Sequence, residues 1–294
     1  MTRSLSVLLL TVALALTACG GGDITQPEPD PVGGGSPTTQ PVGPVDTDIW
    51  GFDAPTNPDA VLLEWLSVGG FVPVEYNVGR APRYVLTAGG QLYFQGPMTM
   101  IYPGPQLIRF QKVQLDQDQM SSVLQAISQT ELVRSPEGSN ETANQFVADA
   151  DTSVFVLHHR DGTTSQYSIY AFGLGENQDA DVVEFAALAA AVEAGSSGTP
   201  VDAAVERLQV VISPSGPVDD IELSSVVVWP FSDLGEVPAV FNDVRCLEIG
   251  GDDLAEAVAL FDAGNDATFY ESGDQTWRVL VRPLLADEEA CVTR

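Results

Sequence analysis

The groups in this 294-residue sequence that could do chemistry are three cysteines, two histidines and 41 carboxylates set against only 12 lysines and arginines. His158 and His159 are the only side chains with an ordinary titration near neutral pH, so they are the only ready proton shuttles. They are adjacent on a predicted strand, and alternation sends them to opposite faces, one to solvent and one to packing. In that geometry they neither share a metal nor act as a pair. No Gly-x-Ser-x-Gly elbow, Ser-x-x-Lys, His-Glu-x-x-His or phosphate-binding glycine loop is present. A Ser-His-Asp set can be assembled in any chain order, so missing motifs do not exclude hydrolysis. Asp149-Ala150-Asp151, then Glu176, Asp179, Asp181 and Glu184, supply hard oxygen ligands of the kind calcium takes. Neither stretch has the glycine and glutamate spacing of an EF-hand. Asp181 and Glu184 read better as helix-capping residues. No catalytic residue, metal ligand or cofactor is assigned.

The third cysteine has a different setting. Arg3 is followed by an apolar run from Leu5 to Leu16, broken only by Ser6 and Thr11, and then by Thr17-Ala18-Cys19. A positive start, about a dozen apolar residues and small residues before a cut are the layout of a secretory signal peptide. The run is shorter than the roughly 20 residues that span a bilayer. Leu16-Thr17-Ala18-Cys19 resembles the lipobox of bacterial lipoproteins. The resemblance implies cleavage after residue 18, thioether lipidation of Cys19 and a lipid anchor on the extracytoplasmic face of a cell membrane or outer envelope. Multiple acylation meets the requirement of two or more chains for stable anchoring.

Residues 19–47 then form a lipidated tether. From Gly20 to Thr47 they carry two glycine triplets and six prolines without hydrophobic periodicity, too little apolar surface to offset chain entropy. Such a spacer of about 28 residues reaches between roughly 30 and 85 Å. The remaining sequence, 48–294, is long enough for one large domain or for two lobes, 48–198 and 199–294.

With Cys19 lipidated, Cys246 and Cys291 are left. Outside the membrane one bridge between them is the natural reading. It would close about 46 residues, worth roughly 4 kcal/mol on the loop-entropy account. Reactive or metal-binding thiols are the alternative, but the Cys-x-x-Cys spacing favoured by redox pairs is absent.

A net charge of −29 repels nucleic-acid phosphates and anionic headgroups. Nucleic acid is therefore excluded as a partner. The acids are scattered, with Lys112 the only lysine, and solubility outside the cell accounts for them better than cation binding.

The elements that must position these groups follow from periodicity. Val61 to Val68 reads as a strand, and Phe71 to Val74 as a resumed extended path. Arg83–Thr87 and Gln91–Gln95 flank Gly89-Gly90 as a hairpin, and Ser153–Arg160 with Thr163–Phe172 flank Asp161-Gly162 as another. Leu107–Val113 and Glu222–Trp229 are further strands. A helix opens at Asp116, boxed by Gln119, with Met120, Val123, Leu124 and Ile127 on its buried face. An alanine-rich helix opens at Asp181. Thr199-Pro200 has cap chemistry for a helix, though Leu208–Ile212 fits a strand equally. Asp252–Asp262 reads as a helix, and a last hairpin turns at Ser272-Gly273. Trp65, Trp229, Trp277, Tyr76 and Tyr93 lie in or beside strand-like segments and read as core. Strand, helix, hairpin recurs from Leu107 and again from Arg245, a weak internal echo. Hairpins dominate, so the expectation is an α+β fold with mostly antiparallel sheet and packed helices, with two similar lobes if the echo is a duplication.

Gly69-Gly70-Phe71-Val72-Pro73, the Pro82–Gly90 strand and turn, Asp149-Ala150-Asp151-Thr152 and Arg282-Pro283-Leu284-Leu285-Ala286-Asp287-Glu288 resemble segments of a group of uncharacterised secreted or lipid-anchored bacterial proteins. Ala286 stands where that group tends to have proline. The resemblance spans most of Val61 to Cys291. It implies an extracytoplasmic domain with Cys246 and Cys291 as its cysteine pair, and carries no activity. The function expected is a non-catalytic binding or envelope module whose ligand is a protein or small molecule. A hydrolase using dispersed carboxylates is the alternative, and a pocket of convergent acids would favour it.

Overall fold

The computed structural model describes residues 50–98, 101–141, 143, 146–175, 179–215, 225–285 and 288–292. The signal segment, Cys19, the tether, Glu176, Glu222, Ala286 and Asp287 lie outside the described residues.

The order of elements is β1 (Val61–Gly69), α1 (Val74–Gly79), β2 (Tyr84–Thr87), β3 (Gln91–Gln95), β4 (Phe110–Gln114), α2 (Gln117–Gln129), β5 (Glu137–Asn140), β6 (Asp151–His158), β7 (Thr164–Tyr170), α3 (Ala180–Gly195), β8 (Val201–Asp202), β9 (Arg207–Pro214), β10 (Ser225–Val228), β11 (Ala239–Phe241), β12 (Val244–Gly250), α4 (Leu254–Ala263), β13 (Thr268–Ser272) and β14 (Gln275–Leu284). Eight strands form one sheet in the order β5-β7-β6-β1-β2-β3-β4-β8, and six form another in the order β10-β13-β14-β9-β12-β11. Among the strands of the described residues only the pairs β5–β7 and β10–β13 are parallel. The expected α+β class with mostly antiparallel sheet is the class observed.

Local chemistry explains the elements that the sequence marks best. Asp116 accepts from the Gln119 amide at 2.8 Å while the Gln119 side chain accepts from the Asp116 amide at 2.9 Å. The capping box thus satisfies two donors that a helix start leaves open. Met120, Val123, Leu124 and Ile127 are buried on one face of α2, as their spacing requires. In the β2–β3 turn Gly90 has φ +81°, and a Cβ on Gly89 would stand 2.8 Å from the Pro58 carbonyl, so both glycines are needed. At the β6–β7 turn Asp161 accepts from the Thr163 amide at 3.0 Å and its hydroxyl at 2.7 Å. These bonds hold its carboxyl below the usual range.

Several expectations change or are decided. Phe71 to Val74 does not resume a strand: the chain turns at Gly69 and Gly70, both at positive φ, and enters α1, which buries Val78. Leu107 bridges Val281 of the second sheet, and β4 starts only at Phe110. Of the two readings left open after Thr199-Pro200, helix or strand, the structure has the strand. Val201–Asp202 pairs with β4, and Arg207–Pro214 is the central strand of the second sheet. Residues 208–212 are all buried, because both faces of β9 are covered, and such a strand reads as a continuous apolar run. Asp181 and Glu184 do not box a helix start. Asp181 accepts from the Tyr167 hydroxyl at 2.7 Å and the Asn140 amide at 2.9 Å, and Glu184 accepts from Arg134 at 2.6 Å. The helix starts one residue earlier, at Ala180, so Asp181 lies inside its first turn and not at its cap. Burial pushes the Asp181 carboxyl up, but those bonds outweigh it and leave it below the ordinary value. Burial and then Asp181 itself drive the Tyr167 hydroxyl strongly upward.

The first sheet packs Leu63, Trp65, Phe155, Leu157 and Ile169 against Leu124 of α2 and Phe185 of α3. The second packs Val210, Ile212, Trp277 and Val279 against Phe261 of α4, beside Trp229 and Tyr270. Burial raises the Tyr270 hydroxyl to about 12, and it donates to Gln106 at 2.7 Å. Trp65, Trp229 and Trp277 are core, as expected, whereas Tyr76 is exposed, with the Arg278 guanidinium over its ring. The opposite face of the second sheet holds Val211 and Cys246 under Val78 and Cys291. Cys246 and Cys291 form a disulfide, with Cα atoms 5.5 Å apart. The strand–helix–hairpin echo is present in both sheets but is wired differently. The first hairpin joins β1 through its first arm, β6, and the second joins β9 through its second arm, β14.

Candidate functional site

Trp65 and Phe155 face the helices, so alternation turns Glu64, Leu66, Val68, Val154, Val156 and His158 to the outer face of the first sheet. Over β2 and β4 that face is sealed: Val85 and Phe110 are buried with Ala81 and Leu285. Over β1, β6 and β7 it is more open. There Val68, Val154 and Val156 are only half-buried, although Leu66 among them is buried.

At the end of the open half lies a cavity of about 530 Å³. Its apolar wall includes Ala60, Val61, Val85 and Leu285; its polar groups include Glu64, His158, His159, Arg160, Glu288 and Glu289. His158 Nε2 lies 2.8 Å from Glu64 Oε1, and the Glu64 side chain is 13% exposed. His159 Nε2 lies 2.8 Å from Ser165 Oγ. Different partners therefore hold the two histidines, but the expected opposite faces do not keep them apart, and both line one cavity. The reason is that β6 ends at His158, and His159 already sits in the turn, its amide bonded to Thr163. Arg160 is held by Asp53 at 2.9 Å and by the Ala54 carbonyl at 3.2 Å.

The far wall of the cavity comes from the C-terminal segment, through Leu285, Glu288, Glu289 and Val292. That segment is latched to the second sheet. Glu288 takes two bonds from Arg282, at 2.6 and 2.8 Å, and these side chains are only 7% and 5% exposed. Arg207 donates to the Leu285 and Glu288 carbonyls, and Gln209 accepts from the Cys291 amide at 3.0 Å. The Cys246–Cys291 bond completes the latch.

Chemically, the site offers an imidazole oriented by a carboxylate inside an apolar cavity. Its other buried carboxylate, Glu288, is fully engaged by Arg282. The one serine bonded to a histidine, Ser165, is itself buried. Among the described residues no group of three histidines, cysteines or carboxylates is placed to hold a metal. Of the acids weighed as calcium ligands, Asp151 bonds to Ser67 and lies 3.8 Å from Arg80, while Asp179 accepts from Asn140.

Sequence reading missed Glu64, Gln209, Arg282 and Glu288. The signal was there for the first three: each is a charged or amide residue with apolar neighbours on both sides in its strand, where burial without a partner is costly.

No protein-family model, curated protein or solved structure matches the chain. Fold and site together define an α+β protein whose larger sheet has one half-open face. Among the described residues no helix is long and apolar enough to cross a membrane.

Proposed function

We propose that the protein is a lipid-anchored extracytoplasmic binding module that receives its ligand in the cavity beside His158. The anchor is Cys19, and the tether holds the folded part away from the membrane surface. The observation that carries the binding reading is the cavity itself, with apolar walls and a few fixed polar groups, the usual make-up of a ligand site. Its most buried acids already have cationic or imidazole partners, so they orient and seal more readily than they react.

The chain contains only two histidines, and both line the cavity. Their imidazole proton signals in a nuclear magnetic resonance spectrum therefore report on this site alone. A screen of small fragments should yield compounds that shift these signals and also raise the melting temperature. A screen in which no fragment moves either signal would count against the reading. For the anchor, labelled palmitate should be incorporated by the wild type and not by Cys19→Ser.

A second reading draws on the Glu64–His158 contact, since a carboxylate-held imidazole is a general-base arrangement. Under it, a panel of ester and glycoside substrates would be turned over, and His158→Gln would abolish turnover. Under the binding reading no turnover appears, and His158→Gln weakens binding only.

A further inference from the structure

The cavity beside His158 does not stand alone. Glu64 is shared with a second depression of about 440 Å³ floored by Leu66, Val68, Val154 and Val156. Gln166 and Ser168 are shared in turn with a third, of about 1100 Å³, bordered by β5 and the approach to β6. Shared residues place the three side by side, as a graded groove along the open half of the sheet. β6 runs its length with eight residues, about 26 Å at the rise of a strand.

The groove is chemically graded. Its middle is aliphatic. Its far end carries Glu137, Glu141 and Asp149, all exposed, with no ion-pair partner among the described residues. Its near end carries Glu289, also exposed. The only lysine or arginine among the described lining residues is Arg160, already bound to Asp53. The whole chain adds a net charge of −29, which draws cations toward such a cleft.

We infer that this groove is the docking surface for an extended, basic polypeptide segment of a partner protein. About eight residues fill it, aliphatic side chains lie on the valine floor, and lysines or arginines meet the carboxylates at the ends. The inference rests on the binding reading above and gives it a partner class. An extended chain fits because the groove is long, and a basic one because its ends hold unneutralised carboxylates.

The test uses the full chain in detergent and a fluorescein-labelled decapeptide of alternating lysine and valine. The peptide should bind at one site, lose about tenfold or more in affinity between low and high salt, and shift the imidazole signals of His158 and His159. Val154→Lys with Val156→Lys should weaken it about tenfold or more. Glu137→Gln with Glu141→Gln, at exposed positions where folding is not at stake, should weaken it several-fold. Equal binding of a glutamate–valine decapeptide, or wild-type affinity in both double variants, would overturn the inference. Neutral indole separates the two levels. If indole moves the imidazole signals while the lysine–valine peptide fails to bind, the cavity reading stands and the extended partner falls. If neither acts, both fall.

Discussion

The two halves of the outer face of the first sheet begin from similar residues and end differently. Over β2 and β4, Val85 and Phe110 disappear beneath Ala81 and Leu285. Over β1 and β6, Val68, Val154 and Val156 receive no such cover among the described residues. The cover is held by polar chemistry: the Arg282–Glu288 pair, Arg207 on the 285 and 288 carbonyls, and the disulfide. The same alternating pattern thus serves stability on one half and leaves an open surface on the other.

Truncation should separate the halves most strongly. Phe110→Ala on the covered half should cost about 3–5 kcal/mol, read by urea melts. Glu288→Gln should come close, about 3 kcal/mol or more, because it strands a buried guanidinium. Arg282→Met with Glu288→Leu should recover much of that loss, since a well-packed apolar pair can replace a buried ion pair. Reducing the Cys246–Cys291 bond should cost about 2–4 kcal/mol and broaden the imidazole signals, because its segment walls the cavity.

A smaller effect is expected at Asp181. Its folded carboxyl lies below the ordinary value, so its contribution is complete above the unfolded pKa of about 4. It is lost as pH falls through the folded value. Asp181→Asn should therefore be less stable than wild type near pH 7, by under about 1 kcal/mol after solvent screening, and the gap should close in acid. Denaturant midpoints across pH 2–7 measure it. A gap that widened in acid would reverse the sign. The smallest stability change should come from Val156→Ala on the open half, under about 1 kcal/mol. A loss as large as that of Phe110→Ala would erase the distinction between the halves.

Much of this contrast could be read from the sequence, but not its outcome. The Asp116 helix, the Asp161-Gly162 hairpin and the Trp277–Val281 alternation are local signals, and local bonds enforce them. The segments that failed were decided by distant partners. Asp181 has ideal spacing for a cap, but the helix starts before it, and its carboxylate accepts from Tyr167 and Asn140 instead. Residues 208–212 have no period because both faces are buried. The groove was least legible of all. Val85 and Val156 look alike in their strands, and packing with Ala81 and with Leu285, 200 positions along the chain, covers the first and not the second. Placing His158 and His159 in one cavity depends on β6 stopping between them, which no local signal marks.

The most direct test of the central claim does not require the partner to be identified first. Carbene footprinting can compare the purified full chain with the same chain in the cells that make it. Occupation of the open half predicts reduced labelling of Val154, Val156 and His158 in the cells, with unchanged labelling of Val201 and Val228, which are exposed elsewhere. Equal labelling of Val154, Val156 and His158 in both settings would contradict the account.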